Sequence, residues 1–199
     1  MANTSDDGLK RQPPDVPTLL GLLCEAGVNY VVTGSAAAML HGVPLVPGDL
    51  DITPALDVPN LTRLAAVLKS IEARRDPSAP FGHWERGDDG EQHWIKTAPT
   101  REDVAKRANW KPDPSDPASF DYLLRSRHGA LDVVPQVSGS YDELMARAVA
   151  LEIDGITVWV ESVEDLLATL TIPRRVKDRD RIGKLRAIQR AKGRERPSP

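Results

Sequence analysis

The stretch VVTGSAAAMLHGVPLVPGDLDI, from Val31 to Ile52, decides the fold. It opens on a β-branched apolar run that stops at Gly34-Ser35, and an alanine-rich segment follows directly. This order predicts a short strand, a close strand-to-helix junction and a short helix that begins at Ser35. The stretch closes on a second apolar run, DLDI, which predicts a second strand.

The second predicted strand contains two acids, Asp49 and Asp51, among aliphatic residues. Because side chains alternate along a strand, both carboxylates project from the same face. Two carboxylates so close together repel each other, and a divalent cation relieves that repulsion. A third acid, Asp132, lies inside another apolar run, GALDVVP. Three acids on neighbouring strands can hold one or two Mg²⁺ ions, with Mn²⁺ as the alternative metal.

The glycine-serine junction adds a feature suited to phosphate. At Gly34 the backbone can approach a phosphate closely because no Cβ intervenes, and the N–H groups at a helix start, near Ser35, favour negative charge. Two Mg²⁺ ions about 3.5–4 Å apart stabilise the attacking and the leaving oxygen of an in-line displacement at phosphorus. Together these residues predict a site for a nucleoside triphosphate (NTP) and its metal ions.

The rest of the chain predicts helices mixed with antiparallel strand pairs, without an internal repeat. Two hairpins are indicated, FDYLLRS with GALDVVPQ, and VALEIDGITVWVES with Asp154-Gly155 at its turn. We therefore expect an α+β fold, in which a small mixed or antiparallel sheet is flanked by helices and followed by a helical C-terminal part. The other predicted elements are helices over VPTLLGLLCEA after Asp15, PNLTRLAAVLKSIEAR, REDVAKRA, SYDELMARA, SVEDLLATL and about 15 residues after Pro173, a strand over HWIKT, and a loop over residues 74–92.

The length and composition fit one domain. The chain has 199 residues, of which 40% are hydrophobic, enough for one packed core. We expect residues 1–14 to form a flexible polar segment and residues 192–199 a flexible basic tail. Residues 15–191 would form the folded domain, with its helical part starting near residue 162.

Three features favour a cytoplasmic protein with no membrane partner. No run approaches the roughly 18 consecutive apolar residues that span a membrane, and the N-terminus lacks a signal-peptide pattern. The single cysteine, Cys24, can form no intrachain disulfide, which fits a reducing compartment. Because Cys24 follows Leu19, Leu20 and Leu23 in an apolar pattern, we expect it to lie in the core.

Positive charge is concentrated at the C-terminal end. The chain has a net charge of −3, but residues 173–199 hold eleven Arg and Lys against three acids, which gives +8 there and −11 in the remainder. A basic end on an acidic protein favours an anionic partner such as a nucleotide or RNA, and a solvated helix with a basic tail is the alternative. On a helix, Arg174, Lys177, Arg181 and Lys184 would lie along one stripe by their spacing. We expect an anionic acceptor to run along this stripe, with Arg181, Lys184 and Arg186 contacting RNA further from the acids.

The order of these motifs resembles the DNA-polymerase-beta-like nucleotidyltransferase superfamily. Its pattern is Gly-Ser, a short helix, Asp-x-Asp in a strand, and a lone Asp in a later strand. Within that superfamily the chain most resembles the bacterial nucleotidyltransferase-fold toxins of the abortive-infection type, over roughly residues 17–190. The segments that carry this resemblance are MLHGVPLVPGDLDI, NLTRLAAVL, GALDVVPQVSGSYDELMARA, and VESVEDLLATL with RRVKDRDRIGKL.

The resemblance implies roles for individual residues. It makes Asp49, Asp51 and Asp132 the catalytic metal ligands. It makes Gly34 and Ser35 the contact for the triphosphate. Further positive charge for the nucleotide would come from Arg174, Arg175 and Lys177, which are close together in sequence.

The resemblance also implies an activity, with alternatives. A Mg²⁺-dependent nucleotidyltransferase would move a nucleoside monophosphate from an NTP such as ATP to RNA, for instance a tRNA 3′ end, as the toxin paired with a cognate antitoxin protein. Transfer to a protein hydroxyl or to a small molecule such as an antibiotic is the second enzymatic reading. A catalytically silent nucleotide- or partner-binding module is the third, because Leu170 stands where relatives often carry a lysine.

Overall fold

The computed structural model describes most of the 199-residue chain. The described residues are 12–86, 92–136, 139–170 and 176–194, with the backbone alone at 83–84, 86, 92–94, 176–177 and 192–194. Arg174, Arg175 and the side chain of Lys177 therefore lie outside the described part, as do most of the predicted N-terminal segment and tail.

Helices and strands are mixed along the chain, and several strands follow one another directly. The helices are α1 (Val16–Glu25), α2 (Gly34–Leu40), α3 (Val58–Ser70), α4 (Arg101–Ala108), α5 (Tyr141–Met145), α6 (Val163–Thr169) and α7 (Val176–Arg194), with a 3₁₀ turn at Pro117–Phe120. The strands are β1 (Tyr30–Thr33), β2 (Leu50–Pro54), β3 (Arg74–Arg75), β4 (Gly82–Arg86), β5 (Gln92–Lys96), β6 (Tyr122–Ser126), β7 (Gly129–Val133), β8 (Val149–Ile153) and β9 (Ile156–Val160).

Seven strands form one mixed sheet in the order β3-β6-β7-β2-β1-β9-β8, and β4 pairs with β5 in a separate hairpin. In the sheet, β2 runs antiparallel to β1 and parallel to β7, while β9 runs parallel to β1. The central strands β1 and β7 are buried along their whole length. The two strands with the predicted acids, β2 and β7, are therefore neighbours in the middle of the sheet, which confirms the α+β class and the mixed sheet.

Local sequence signals account for several element boundaries. The Asp15 carboxylate accepts a hydrogen bond from the Thr18 N–H and so caps α1, as predicted. Asp154 and Gly155 turn the β8–β9 hairpin with φ angles of 50° and 83°, the left-handed pair that an Asp-Gly hairpin turn requires. The helical C-terminal part starts at Val163, one residue after the predicted position.

One apolar core packs helices from both ends of the chain against the sheet. Leu19, Leu20 and Leu23 of α1 pack in the same buried cluster as the sheet residues. In α7, Leu185 is fully buried and Ile188 packs against the same cluster. These apolar contacts position α7, which is 19 residues long and exceeds the predicted 15 or so, against the domain.

Residues 74–92, predicted to be a loop, contain strands β3 and β4. β3 is only two arginines long, and it exists because its backbone pairs with β6 at the edge of the sheet. β4 owes its conformation to pairing with β5. Neither segment has the apolar alternation that marks a strand locally, so the prediction failed where tertiary pairing decides the structure.

Two predictions in the N-terminal third are wrong in detail. Helix α2 begins at Gly34 with Thr33 as its N-cap residue, so Ser35 lies inside the first turn. Cys24 is exposed, although Leu23 beside it is fully buried. Consecutive helical residues are about 100° apart, and this step carries Cys24 off the apolar face of α1.

No helix within the described ranges is long and apolar enough to cross a membrane.

Candidate metal centre and adjoining cavity

Asp49, Asp51 and Asp132 come together as the sequence predicts. Each offers a carboxylate oxygen, and these three oxygens lie within 4.8 Å of one another. Asp132 is buried, while Asp49 and Asp51 are half-buried. Oxygens at this separation can reach one shared divalent cation, whose bonds to carboxylates are about 2.0–2.6 Å long.

Strand register explains why the acids meet. Asp51 pairs with Asp132 across the parallel strands β2 and β7, and with Thr33 across the antiparallel strands β2 and β1. Asp49 lies two residues before Asp51, just ahead of β2, so alternation brings it to the same face. The Asp132 carboxylate also accepts a hydrogen bond from the Leu124 N–H at 3.2 Å, which holds it in place.

Gly34 lies against this acidic group. Its φ of +65° is in the left-handed region, and a Cβ placed on it would overlap the Asp51 carboxylate. The positive φ and the lack of room for a Cβ both require glycine at position 34. The glycine of the Gly-Ser motif therefore allows the backbone to approach Asp51 closely. The junction between β1 and α2 therefore adjoins the acids, as predicted, although Ser35 is not among the described residues that line the neighbouring cavity.

Glu161 is a site residue that the sequence predictions missed. It follows β9, is fully buried, and its Oε2 accepts a hydrogen bond from the Gly34 N–H at 3.2 Å. Its backbone N–H donates to the Val32 carbonyl, and its carbonyl oxygen accepts from His41 Nε2 at 2.8 Å. The available signal was an acid directly after the apolar run TVWV, the same kind of signal that identified Asp132.

A cavity of about 110 Å³ lies beside Gly34 and is partly open to solvent. That volume is well above the roughly 10–15 Å³ that one water molecule needs. Carboxylates, one guanidinium, and apolar side chains all contribute to its walls. The described residues that line it are Thr33, Gly34, Asp51, Val134, Glu161, Leu166, Thr169, Leu170 and Arg181.

The three basic residues predicted to contact RNA have different environments. Arg181 is half-buried and lines the cavity with Asp51, so its predicted location away from the acids is wrong. Lys184 forms an ion pair with Asp180 at 2.7 Å, and its ammonium group reaches the Pro44 carbonyl at 3.5 Å. Arg186 is exposed. The prediction failed for Arg181 because it assumed a free helix, whereas α7 packs against the domain.

Comparisons with known proteins give a limited result. No family model matches the sequence, and no curated protein sequence matches it. An antigenic nucleotidyltransferase-like protein from Paracoccidioides brasiliensis is similar in structure, with a TM-score of 0.45 and 20% identity over 88% of this chain and 74% of the other. The antibiotic-resistance factor ANT(2'')-Ia gives a TM-score of 0.46 and 14% identity over 90% of this chain and 89% of the other. At these levels the similarity identifies no activity.

Proposed function

We propose that this protein is a metal-dependent nucleotidyltransferase that moves a nucleoside monophosphate from an NTP to an acceptor and releases pyrophosphate. One observation carries the proposal: three carboxylate oxygens lie within 4.8 Å of one another, two on the adjacent strands β2 and β7 and one from Asp49 just ahead of β2. Without a cation this arrangement places like charges together in a partly buried site, where their repulsion is costly. The cluster lies beside a glycine that brings the backbone against Asp51, and a cavity opens there.

The donor set fits Mg²⁺ or Mn²⁺. All three groups are carboxylates, which are hard oxygen ligands, and the set contains neither thiolate nor imidazole. Asp49, Asp51 and Asp132 would hold the metal. A bound divalent cation supplies charge stabilisation for the phosphoryl oxygens and polarises the groups bound to it.

Residues of the chain would then accept the proton and position the reacting groups. The acceptor oxygen attacks the α-phosphorus, the bond from that phosphorus to the bridging oxygen breaks, and the electron pair leaves with pyrophosphate. The buried Asp132 carboxylate receives the proton of the attacking hydroxyl. Asp51 would act on the phosphates through the bound metal, and the absence of a Cβ on Gly34 lets the backbone lie directly against Asp51 at that point.

For the acceptor we propose RNA, with the tRNA 3′ end as the first candidate and a toxin–antitoxin pair as the biological setting. The support is the resemblance of the motifs, together with the concentration of positive charge beyond residue 172. Arg186, which is exposed on α7, is available to an RNA backbone. Transfer to a protein hydroxyl or to a small molecule uses the same site and differs only in the acceptor.

One experiment separates these acceptors. The protein is incubated with each NTP labelled at the α-phosphate, with Mg²⁺, and with total RNA, and the labelled products are resolved by size. We expect label in RNA of tRNA length. Label in protein alone rejects RNA as the acceptor. With a folded protein, the absence of label from both RNA and protein rejects these two acceptors, and a silent binding module is supported if adding small-molecule acceptors such as antibiotics also yields no labelled product.

A further inference from the structure

The cavity beside Gly34 combines negative and positive groups that do not pair with each other. Asp51 and Glu161 contribute carboxylates to its walls, and Arg181 contributes the only cationic side chain among its described lining residues. Arg181 reaches the cavity from α7, whose position is set by the buried Leu185 one turn further on. This contact brings a guanidinium group next to the candidate metal centre.

Arg181 makes no hydrogen bond or ion pair within the described part of the structure. Lys184, one turn away on the same helix, is occupied by Asp180 and the Pro44 carbonyl. A half-buried guanidinium that shares a small cavity with two carboxylates, yet contacts neither, leaves space between the opposite charges. An anion that carries metal ions fits such a space, because the acids face its metal and the arginine faces its oxygens.

We propose that Arg181 binds the phosphate chain of the nucleotide in this cavity, and that it does not belong to an RNA-binding surface. The inference rests on the proposed function, and it identifies the triphosphate as the part of the substrate held between Asp51 and α7. A guanidinium presents a planar set of donors that matches two phosphate oxygens at once. Leu166 and Leu170 line the same cavity, and their apolar side chains lower the local polarity, which strengthens these charged hydrogen bonds.

The size and burial of the site favour the nucleotide over RNA. A cavity of about 110 Å³ admits a phosphate group and excludes the bulk of a polynucleotide. Asp51, a candidate metal ligand, lines the same cavity as Arg181, which favours the metal-carrying triphosphate over a phosphate of an RNA backbone.

The test compares R181M with R190M, a matched control. Arg190 is exposed on the same helix, nine residues further on, which is about 180° around the axis at about 100° per residue. Equilibrium binding is measured with Mg²⁺ and each of three probes: an NTP without acceptor, inorganic tripolyphosphate, and tRNA. R181M should bind the NTP and tripolyphosphate about tenfold to a hundredfold more weakly than the wild type, the effect of losing a hydrogen bond to a charged group. R190M should bind the NTP and tripolyphosphate with wild-type affinity. R181K should bind them with an affinity between those of R181M and the wild type.

The outcomes distinguish this inference from the proposed function. If the wild type binds neither NTP nor tripolyphosphate, the proposed function fails and the role of Arg181 fails with it. If the wild type binds both and R181M binds them equally well, only the role of Arg181 is overturned. If R181M loses affinity for tRNA alone, the proposed role of Arg181 in phosphate-chain binding is also overturned, and Arg181 belongs to an RNA-binding surface. Thermal melting checks that each variant is folded. If R181M is unfolded, R181Q is used in its place, and it should show the same loss of affinity for the NTP and tripolyphosphate.

Discussion

Asp51 of β2 and Asp132 of β7 are register partners on adjacent parallel strands, and each has a carboxylate oxygen within 4.8 Å of the other. Both strands lie at the centre of the sheet, where β7 is buried throughout. Backbone pairing therefore fixes two like charges close together in a partly buried position. Repulsion between the two carboxylates lowers the free energy of unfolding unless a cation binds between them.

Asp51→Asn should leave the metal-free protein as stable as the wild type or more stable, because it removes one of the repelling charges. Mg²⁺ or Mn²⁺ should stabilise the wild type by about 2.7 kcal/mol at 100 times its Kd, which raises Tm by about 5–10 °C, and should have little effect on the variant. Thermal melting with and without metal measures both effects. Asp154→Asn is the control, since Asn-Gly also suits that turn. Equal metal-induced shifts in wild type and Asp51→Asn would remove Asp51 from the metal site.

Gly34→Ala should lower the free energy of unfolding by about 1–3 kcal/mol and abolish nucleotide binding. Its backbone has a φ of +65°, and the added Cβ would displace the Asp51 carboxylate. Gly21→Ala is the matched control. Gly21 lies within α1 with open space around it, so the same substitution should stabilise the protein by about 0.5–1 kcal/mol. Chemical denaturation measures the free energy of unfolding of both variants. Similar changes in this free energy for Gly34→Ala and Gly21→Ala would contradict the close approach of Gly34 to Asp51.

Glu161→Gln and Glu161→Ala should behave differently. Glutamine keeps a side-chain oxygen that can accept the Gly34 N–H, whereas alanine leaves that buried donor without its acceptor, at a cost of about 1–3 kcal/mol. Glutamine also removes a negative charge from the cavity, so NTP should bind to Glu161→Gln at least as tightly as to the wild type. Melting curves and NTP titrations test the two statements separately. Weaker NTP binding by a folded Glu161→Gln would mean that the charge itself is needed.

Asp76 gives a pH-dependent prediction away from the candidate site. Burial alone would raise its pKa, but hydrogen bonds from Ser78 and the Arg125 guanidinium, 2.8 Å away, outweigh burial and hold the pKa of Asp76 below its ordinary value. A carboxyl with a lowered pKa in the folded state stabilises the fold above its unfolded pKa of about 3.9. This stability is lost as pH falls through the folded pKa.

Asp76→Asn should therefore destabilise the protein by about 3 kcal/mol at pH 7, because Arg125 loses its charged partner. The gap between the variant and the wild type should narrow as pH falls below about 4, because the Asp76 carboxyl is then protonated in the unfolded state while its lowered pKa keeps it ionised in the folded state. The loss is complete once pH falls below the folded-state pKa. Denaturant unfolding at pH 7 and pH 3 measures the gap. A gap of constant size across this range would show that the ionised form of Asp76 does not stabilise the fold.

The parts of this structure that the sequence predicts well are those encoded locally. The alternation around Asp51, the apolar run around Asp132 and the Asp-Gly turn at Asp154 each carry their own signal over a few residues. The meeting of Asp51 and Asp132 depends in addition on the pairing of β2 with β7, whose register joins residues about 80 positions apart and is not encoded in either short pattern.

The parts that it predicts poorly depend on tertiary contacts. β3 consists of two arginines that become a strand only by pairing with β6. Arg181 faces the cavity because Leu185 anchors α7, a packing relationship that charge spacing on a helix does not contain. Glu161 carried a usable signal, an acid after an apolar strand, but its contact with Gly34 spans more than a hundred residues of sequence.

The most direct test of the account is transfer of label from an NTP marked at either its α- or its γ-phosphate, in the presence of Mg²⁺ and total RNA. Nucleotidyl transfer predicts that wild-type protein moves the α-label to an acceptor while the γ-label appears only in pyrophosphate. Asp51→Asn should reduce this transfer by about a hundredfold or more, since metal-based charge stabilisation is worth several kcal/mol of barrier. Appearance of the γ-label on the acceptor, or undiminished α-transfer by Asp51→Asn, would contradict the account.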